Sequence, residues 1–245
     1  MNIEEKEQLE IDFWKNSLTE NPRSFSLHNI INKLSEAKVF LEKIGEYKHI
    51  FVRAQSILEI GAGQGWASCI LKKMYPDKKI TASDISEHSV ASLHCWEELF
   101  KVKIDAGLVC KSYSIPLPDN SVDMVFCFQS AHHFVKHKET LAEIYRVLKP
   151  GGCAIYLHEP SCRKYIYPLA RRRVNKKRLS VPEDVLIYSD ISSTAKEVGF
   201  EKKELFFNPN LLNRGPVETA YFYILKKLPF LQHLLPTSVD YVFEK

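Results

Sequence analysis

Two hydrophobic rhythms divide this chain of 245 residues. Up to about residue 50, apolar positions recur at helical spacing. Ile11, Trp14 and Leu18 form a short stripe ahead of Asn21-Pro22, and Leu27, Ile30, Ile31, Leu34, Ala37, Leu41 and Ile44 form a longer one. Steps of three and four residues put such side chains on one helix face. From Ser56 the pattern changes. Short apolar runs at Ser56–Ile60, Lys79–Ser83, Ala106–Lys111, Val122–Phe128 and Cys153–Leu157 predict five strands. Helical stripes at Trp66–Met74, Ser86–Phe100 and Lys138–Leu148 fall between them, and Lys149-Pro150-Gly151-Gly152 predicts a stop before the fifth strand. After residue 160 the rhythm loosens. A helix is expected over Asp190–Gly199, with Gly199 past its end, and strands over Glu204–Phe207 and Val239–Phe243, with a largely apolar insertion at 209–237.

Strands alternating with helices predict an α/β fold with a parallel sheet. Runs that are apolar throughout fit a sheet covered on both faces. The composition, 45% apolar and 26% charged, is that of a soluble globular protein. The start, MNIEEKEQLEIDFW, is acidic and lacks the apolar centre of a secretory signal, and no run of about 18 apolar residues occurs; a cytoplasmic protein is expected. Cysteines at 69, 95, 110, 127, 153 and 162 stand singly, which reads as reduced thiols, and no metal ligand set is assigned.

The net charge of +4 is unevenly placed. Arg163, Lys164, Arg171, Arg172, Arg173, Lys176, Lys177 and Arg178 fall within 161–178 without one acidic residue, and the rest of the chain holds 26 basic against 30 acidic residues. That local surplus suits an anionic acceptor, a carrier or an acidic membrane surface. The apolar tract YFYILKKLPFLQHLL (221–235) is a second candidate contact surface. With modest overall charge and no recognised RNA module, nucleic acid is not expected as a partner.

The sharpest chemical signal is Leu58-Glu59-Ile60-Gly61-Ala62-Gly63-Gln64-Gly65, a strand running into a glycine turn that opens a helix. Such a turn lets a ligand approach the backbone closely, beside the free N–H groups of a helix start. Asp84 follows at the end of the second strand, where a carboxylate can accept from both hydroxyls of a ribose. A dinucleotide fingerprint requires a further glycine at position 66, which is Trp. Glu59 before the turn would repel a pyrophosphate and favour a ligand carrying an ammonium group. Charge therefore prefers S-adenosylmethionine over a nicotinamide cofactor.

The chain resembles the class I S-adenosylmethionine-dependent methyltransferases of the methyltransferase type 11 family. The resemblance rests on ILEIGAGQG (57–65), ASDIS (82–86), IPLPDNSVDMVFCFQSAHHF (115–134), EIYRVLKPGG (143–152) and, more loosely, AKEVGF (195–200). It implies a Rossmann-like, seven-stranded, mostly parallel sheet with helices on both faces and an antiparallel last strand. Residues 1–50 would form a helical cap, and 51–245 the methyltransferase domain, with insertions at about 160–185 and 209–237. Glu59, Gly61, Ala62, Gly63 and Gly65 would line the methionine side of the cofactor. Asp84 would hold the ribose and Ile85 would pack on the adenine, with Gln129 and Ser130 near the sulfonium. One departure stands out. Where the family has an acidic residue for the adenine amino group, this chain has Lys111 and Ser112, and Ser112 is the nearest substitute. His133 and His132 follow the fourth strand, and His158 and Glu159 the fifth; His133, His158 and Glu159 are the candidates for the chemical step. The resulting expectation is O- or N-methylation of a small-molecule or lipid- or sugar-linked acceptor, the alternative being a non-catalytic S-adenosylmethionine-binding subunit.

Overall fold

The computed structural model describes residues 2–17, 26–177, 181, 183–212 and 214–245. Leu18, Asn21-Pro22 and Arg178 lie outside them. Helix α1 (Ile3–Asn16) opens on a capping box in which Asn2 accepts from the Glu5 amide and Glu5 accepts from the Asn2 amide. Helix α2 (Leu27–Glu46) starts at Ser26, whose hydroxyl accepts from the Asn29 amide, and α3 (Lys48–Arg53) follows.

The inward face of α2 differs from the apolar stripe read in the sequence. Leu27 is 72% and Ile31 57% exposed, and Leu34 and Leu41 are also exposed. Ala37 and Ile44 of the stripe are buried in the core, but the inner face also carries Asn29, Glu36, Phe40, Lys43 and Tyr47. Phe40 packs on Trp66, Phe126 and Phe128, whereas the polar members have polar partners: Asn29 bonds Gln64, Glu36 accepts from Gln129, and Lys43 and Tyr47 both donate to Asp240. Hydrophobic periodicity cannot see a face selected by buried polar partners.

The central sheet contains β1 (Ser56–Ile60), β2 (Lys79–Asp84), β3 (Ala106–Val109), β4 (Val122–Phe128), β5 (Leu148–Cys162), the two-residue β6 (Leu186–Ile187), β7 (Lys202–Phe207) and β8 (Thr237–Glu244). Their order is β3-β2-β1-β4-β5-β8-β7, with β6 at the end of β5. Strands β1 to β6 pair in parallel, whereas β8 runs antiparallel between β5 and β7. The connecting helices are α4 (Trp66–Met74), α5 (Glu87–Val90), α6 (Leu93–Phe100), α7 (His137–Val147), α8 (Tyr167–Val174), α9 (Tyr188–Val198) and α10 (Pro216–Lys227).

Alternate side chains of β4 enter opposite cores, as a period of two requires. Met124, Phe126 and Phe128 pack with Phe40, Phe51, Trp66 and Trp96. Val125 and Cys127 pack with Leu141, Ile144, Ile191 and Phe200. Chain order reverses between β1 and β4, so a crevice opens at their carboxyl ends, the place where ligands bind in open α/β sheets.

Two elements depart from the sequence reading. The helix expected over Ser86–Phe100 breaks at Ala91-Ser92. The Ser89 hydroxyl donates to the Ser86 carbonyl and the Ser92 hydroxyl to the Ser89 carbonyl, and such side-chain bonds compete with the helical ladder. Strand β5 begins at Leu148, ahead of the expected stop. Leu148 pairs with Val122 and Cys153 with Met124, so the Lys-Pro-Gly-Gly segment is a bulge inside the strand, tied by the Gly151 amide to the Lys245 carbonyl. Among the described residues, no helix is long and apolar enough to cross a membrane.

Candidate active site

A cavity of about 1190 Å³ lies over the carboxyl ends of the central strands, beneath α1 and α2. Glu59, Gly61, Ala62, Gly63, Asp84, Ile85, Ser112, Gln129, Ser130, His133 and His158 all line it. Gly65 and Glu159 do not. Gly65 is the left-handed residue before α4, with φ +79°, and a Cβ there would stand 2.5 Å from Leu93 Cδ1. Its role is to start the helix tightly against α6.

At the glycine turn the backbone is folded so closely that side chains are excluded. Gly61 and Gly63 have φ of +63° and +53°. A Cβ on Gly61 would meet Ser130 Oγ at 2.7 Å, and one on Gly63 would press on the Trp14 ring at 3.1 Å. The Gly63 amide donates to Asp84 Oδ2 (2.8 Å), and Asp84 Oδ1 accepts from the Ser86 amide and the Ser89 hydroxyl. Burial raises the Asp84 carboxyl above its ordinary range while these donors oppose the shift. Glu59 is 3% exposed, with the Ser68 hydroxyl donating to it at 2.5 Å. Burial pushes its carboxyl up to about 8, against the Ser68 hydrogen bond. Such a group is best satisfied by a cation placed beside it.

The other end of the cavity is organised by Glu159. Fully buried, its carboxylate accepts from the amides of Ser130, Ala131 and His132 and from His132 Nδ1 (2.8 Å). It therefore shapes the turn after β4. Burial favours its neutral form, but His132 and these amides hold the carboxyl below its ordinary value. His132 Nε2 faces Glu183 at 3.1 Å, and His133 lies between Glu10 (2.6 Å) and Glu183 (3.5 Å). Burial opposes charge on His132, but the flanking carboxylates outweigh it and lift the imidazole to about 10.

His158 sits where the β5–β8 register shifts, at φ +60°, and its amide donates to Asp240. Burial, with Arg214 and Lys43 nearby, pushes its imidazole down to about 3, so the ring is neutral at physiological pH. Its buried Nδ1 has no hydrogen-bond partner among the described residues. Gln129 is likewise left-handed, at φ +50°, and its amide reaches Glu36 on α2. Two non-glycine residues held in this region, one just past β4 and one at the register shift inside β5, mark a strained, shaped site.

Several groups were not singled out in the sequence. Glu7 on α1 pairs with Lys111 (2.7 Å) and accepts from the Tyr113 hydroxyl, so a carboxylate does enter the region where Lys111 and Ser112 stand, but from a helix about a hundred residues earlier. Ser112 itself bonds Thr140. Glu10 and Glu183 come to the histidines from α1 and from the segment before β6. Arg214 lies over Phe222, 3.5 Å from the ring centre, and lines the cavity with Arg173. The unusual Lys111 was the one local sign of the Glu7 contact; the others had none.

The glycine cradle, the strand-end Asp84 and the buried Glu59 together fit a nucleoside bearing a cationic amino-acid portion, and they do not fit a pyrophosphate. Residues 58–156 match the methyltransferase domain profile. The ubiquinone/menaquinone biosynthesis C-methyltransferase UbiE of Desulfotalea psychrophila is 29% identical over 48% of this chain and 47% of its own length. The 24-methylenesterol C-methyltransferase 2 of Arabidopsis thaliana is 28% identical over 60% of this chain and 42% of its own length. The chain thus spans less than half the length of these two curated relatives. A SAM-dependent methyltransferase structure from Archaeoglobus fulgidus superposes with a TM-score of 0.58, at 14% identity, over 83% of this chain and 92% of that one, which shows the shared fold. Fold, profile and relatives define a class of Rossmann-like enzymes that use a sulfonium cofactor. Residues 58–156 thus carry a methyltransferase domain similar to those of the class I S-adenosylmethionine-dependent enzymes, and S-adenosylmethionine is the cofactor that this similarity implies.

Proposed function

We propose that this chain methylates a small-molecule acceptor. The observation that carries this reading is the single cavity that joins the glycine turn to the histidine end. About 1190 Å³ exceeds the upper range of ordinary ligand pockets, about 1,000 Å³, and accommodates a cofactor and an acceptor together. S-adenosylmethionine, when bound, supplies an electrophilic methyl group on a sulfonium. Glu59 would hold its amino group, Asp84 its ribose and Ile85 its adenine, with Ser112 at the adenine edge and Gln129 and Ser130 at the reacting end. Holding acceptor and methyl group in line can supply roughly 7–11 kcal/mol of barrier lowering in favourable systems.

On the acceptor side, His158 offers its unpartnered Nδ1 and His133 a second imidazole, suiting an O–H or N–H group. Glu159 acts through His132 and the β4 turn, as a positioning residue. A second reading, methylation at carbon, is favoured by the aromatic wall of Trp14, Phe128, Phe134, Tyr221 and Phe222 and by the C-methyltransferase names of both relatives. Arg173 and Arg214 at the cavity wall favour an acceptor with an anionic group. Tyr165, Leu169 and Phe230 are more than 60% exposed beside the basic and apolar tracts, which supports contact with a membrane surface or a carrier.

Calorimetric titration with S-adenosylmethionine, followed by transfer of labelled methyl from it to quinols, phenols, isoprenoid alcohols and amines, tests the reading. Micromolar binding with transfer to an oxygen, nitrogen or carbon acceptor supports it and separates the two forms. Binding without transfer to any of them favours a non-catalytic subunit. Asp84→Ala is expected to weaken binding more than tenfold. It should also lower the unfolding free energy by about 1–3 kcal/mol for each of the Gly63 and Ser86 amides left without an acceptor. Unchanged affinity in the folded variant would place the ribose elsewhere.

A further inference from the structure

We propose that His132, His133 and Glu183 form a binding site for one divalent transition-metal ion of the zinc class at the acceptor end of the cavity. The ligand atoms of the three residues lie within 4.8 Å of one another. Both Nε2 atoms converge on the same oxygen, Glu183 Oε2, at 3.1 Å from His132 and 3.5 Å from His133. Ligands around a tetrahedral ion with bonds of 2.0–2.1 Å are about 3.3 Å apart, so both nitrogen–oxygen separations stand near the spacing such an ion imposes.

The second observation concerns the far side of each ring. His132 Nδ1 meets Glu159 at 2.8 Å, and His133 Nδ1 meets Glu10 at 2.6 Å. With Nδ1–H donated to the carboxylate behind each ring, Nε2 is left to turn a lone pair forward once an ion displaces its proton; this is the outer-shell arrangement of metal-binding histidines. Forward of both Nε2 atoms stands a carboxylate, which accepts only. The Glu183 carboxylate between two facing rings calls for positive charge among them. Supplying it as a proton on each ring would set two positive rings 4.2 Å apart; a single metal ion serves all three. Three residues leave further coordination positions open, and since all three line the cavity, these positions can face it. An oxygen-bearing acceptor would occupy one. That last role rests on the methyl-transfer reading, whereas metal binding does not.

The full-length protein, stripped with chelator and dialysed, is titrated with cobalt(II) in the absence of S-adenosylmethionine. We expect one equivalent to bind, with visible d–d bands of a low-coordinate N/O site, and zinc to displace it. His133→Ala and Glu183→Ala, both at partly exposed positions, should each abolish the bands while the thermal unfolding transition persists. Glu10→Gln, which alters only the residue behind His133, should weaken binding about 10- to 100-fold. No cobalt binding by the folded protein overturns the proposal, as does binding that His133→Ala and Glu183→Ala leave unchanged. Neither result bears on cofactor binding, which is read by its own titration.

Discussion

Lys43→Met is expected to destabilise the fold by about 3–5 kcal/mol in urea denaturation, the range for removing one partner of a buried ion pair. Lys43 is 1% exposed and Asp240 fully buried, and Nζ and Oδ2 are 2.7 Å apart. Burial raises the Asp240 carboxyl above its ordinary range while Lys43 opposes the shift. Without the ammonium, Asp240 keeps only neutral donors among the described residues, the Tyr47 hydroxyl and the His158 amide. The double variant Lys43→Met/Asp240→Asn should recover much of the loss, because no buried charge is then left alone. A strictly additive double-mutant cycle would show that the pair is not coupled. The same contact matters to the site: Asp240 joins α2 to the backbone of His158, so the lost pair should also reduce turnover.

Glu59→Gln should have opposite effects on stability and on binding. Burial lifts the Glu59 carboxyl from 4.5 to about 8. The folded protein thus keeps a proton that the unfolded chain gives up above pH 4.5. The stability linked to this group is fully present below that pH and is lost as pH rises through about 8. Above this range the neutral amide should stabilise the cofactor-free protein by several kcal/mol, with a ceiling of roughly 5 kcal/mol at 1.36 kcal/mol per pH unit. In the complex, the amide cannot pair with the amino group assigned to Glu59, so affinity for S-adenosylmethionine should fall at least tenfold. Melting curves at pH 6 and pH 9, with and without cofactor, separate the two effects. A lower melting point for the cofactor-free variant at pH 9 would refute the assignment of Glu59 as a destabilising buried anion.

The half of the cavity around the glycine turn, which we assign to the cofactor, was legible because its parts are close in sequence. Gly61, Gly63 and Asp84 belong to two neighbouring strands and the turn between β1 and α4, and glycine at those turn positions answers a local demand of the backbone. The acceptor half was much less so. Glu159 was read as a candidate for the chemical step just past the fifth strand, yet β5 runs on to Cys162 and Glu159 is the buried anchor of the turn after β4. The inner face of α2 was obscured for a related reason: Lys43 reads as a surface residue until Asp240, 197 positions later, is brought against it.

The sequence by itself determined the order of strands and helices, the glycine turn and its acidic partners, and with them the cofactor. Each of these follows from periodicity or from backbone geometry over a few residues. The tertiary structure alone decided which polar groups share a buried space. It set Glu7 against Lys111, Glu10 and Glu183 against the two histidines, and Asp240 against Lys43. Such pairings depend on side chains from distant segments losing water together, and no local pattern of residues records that.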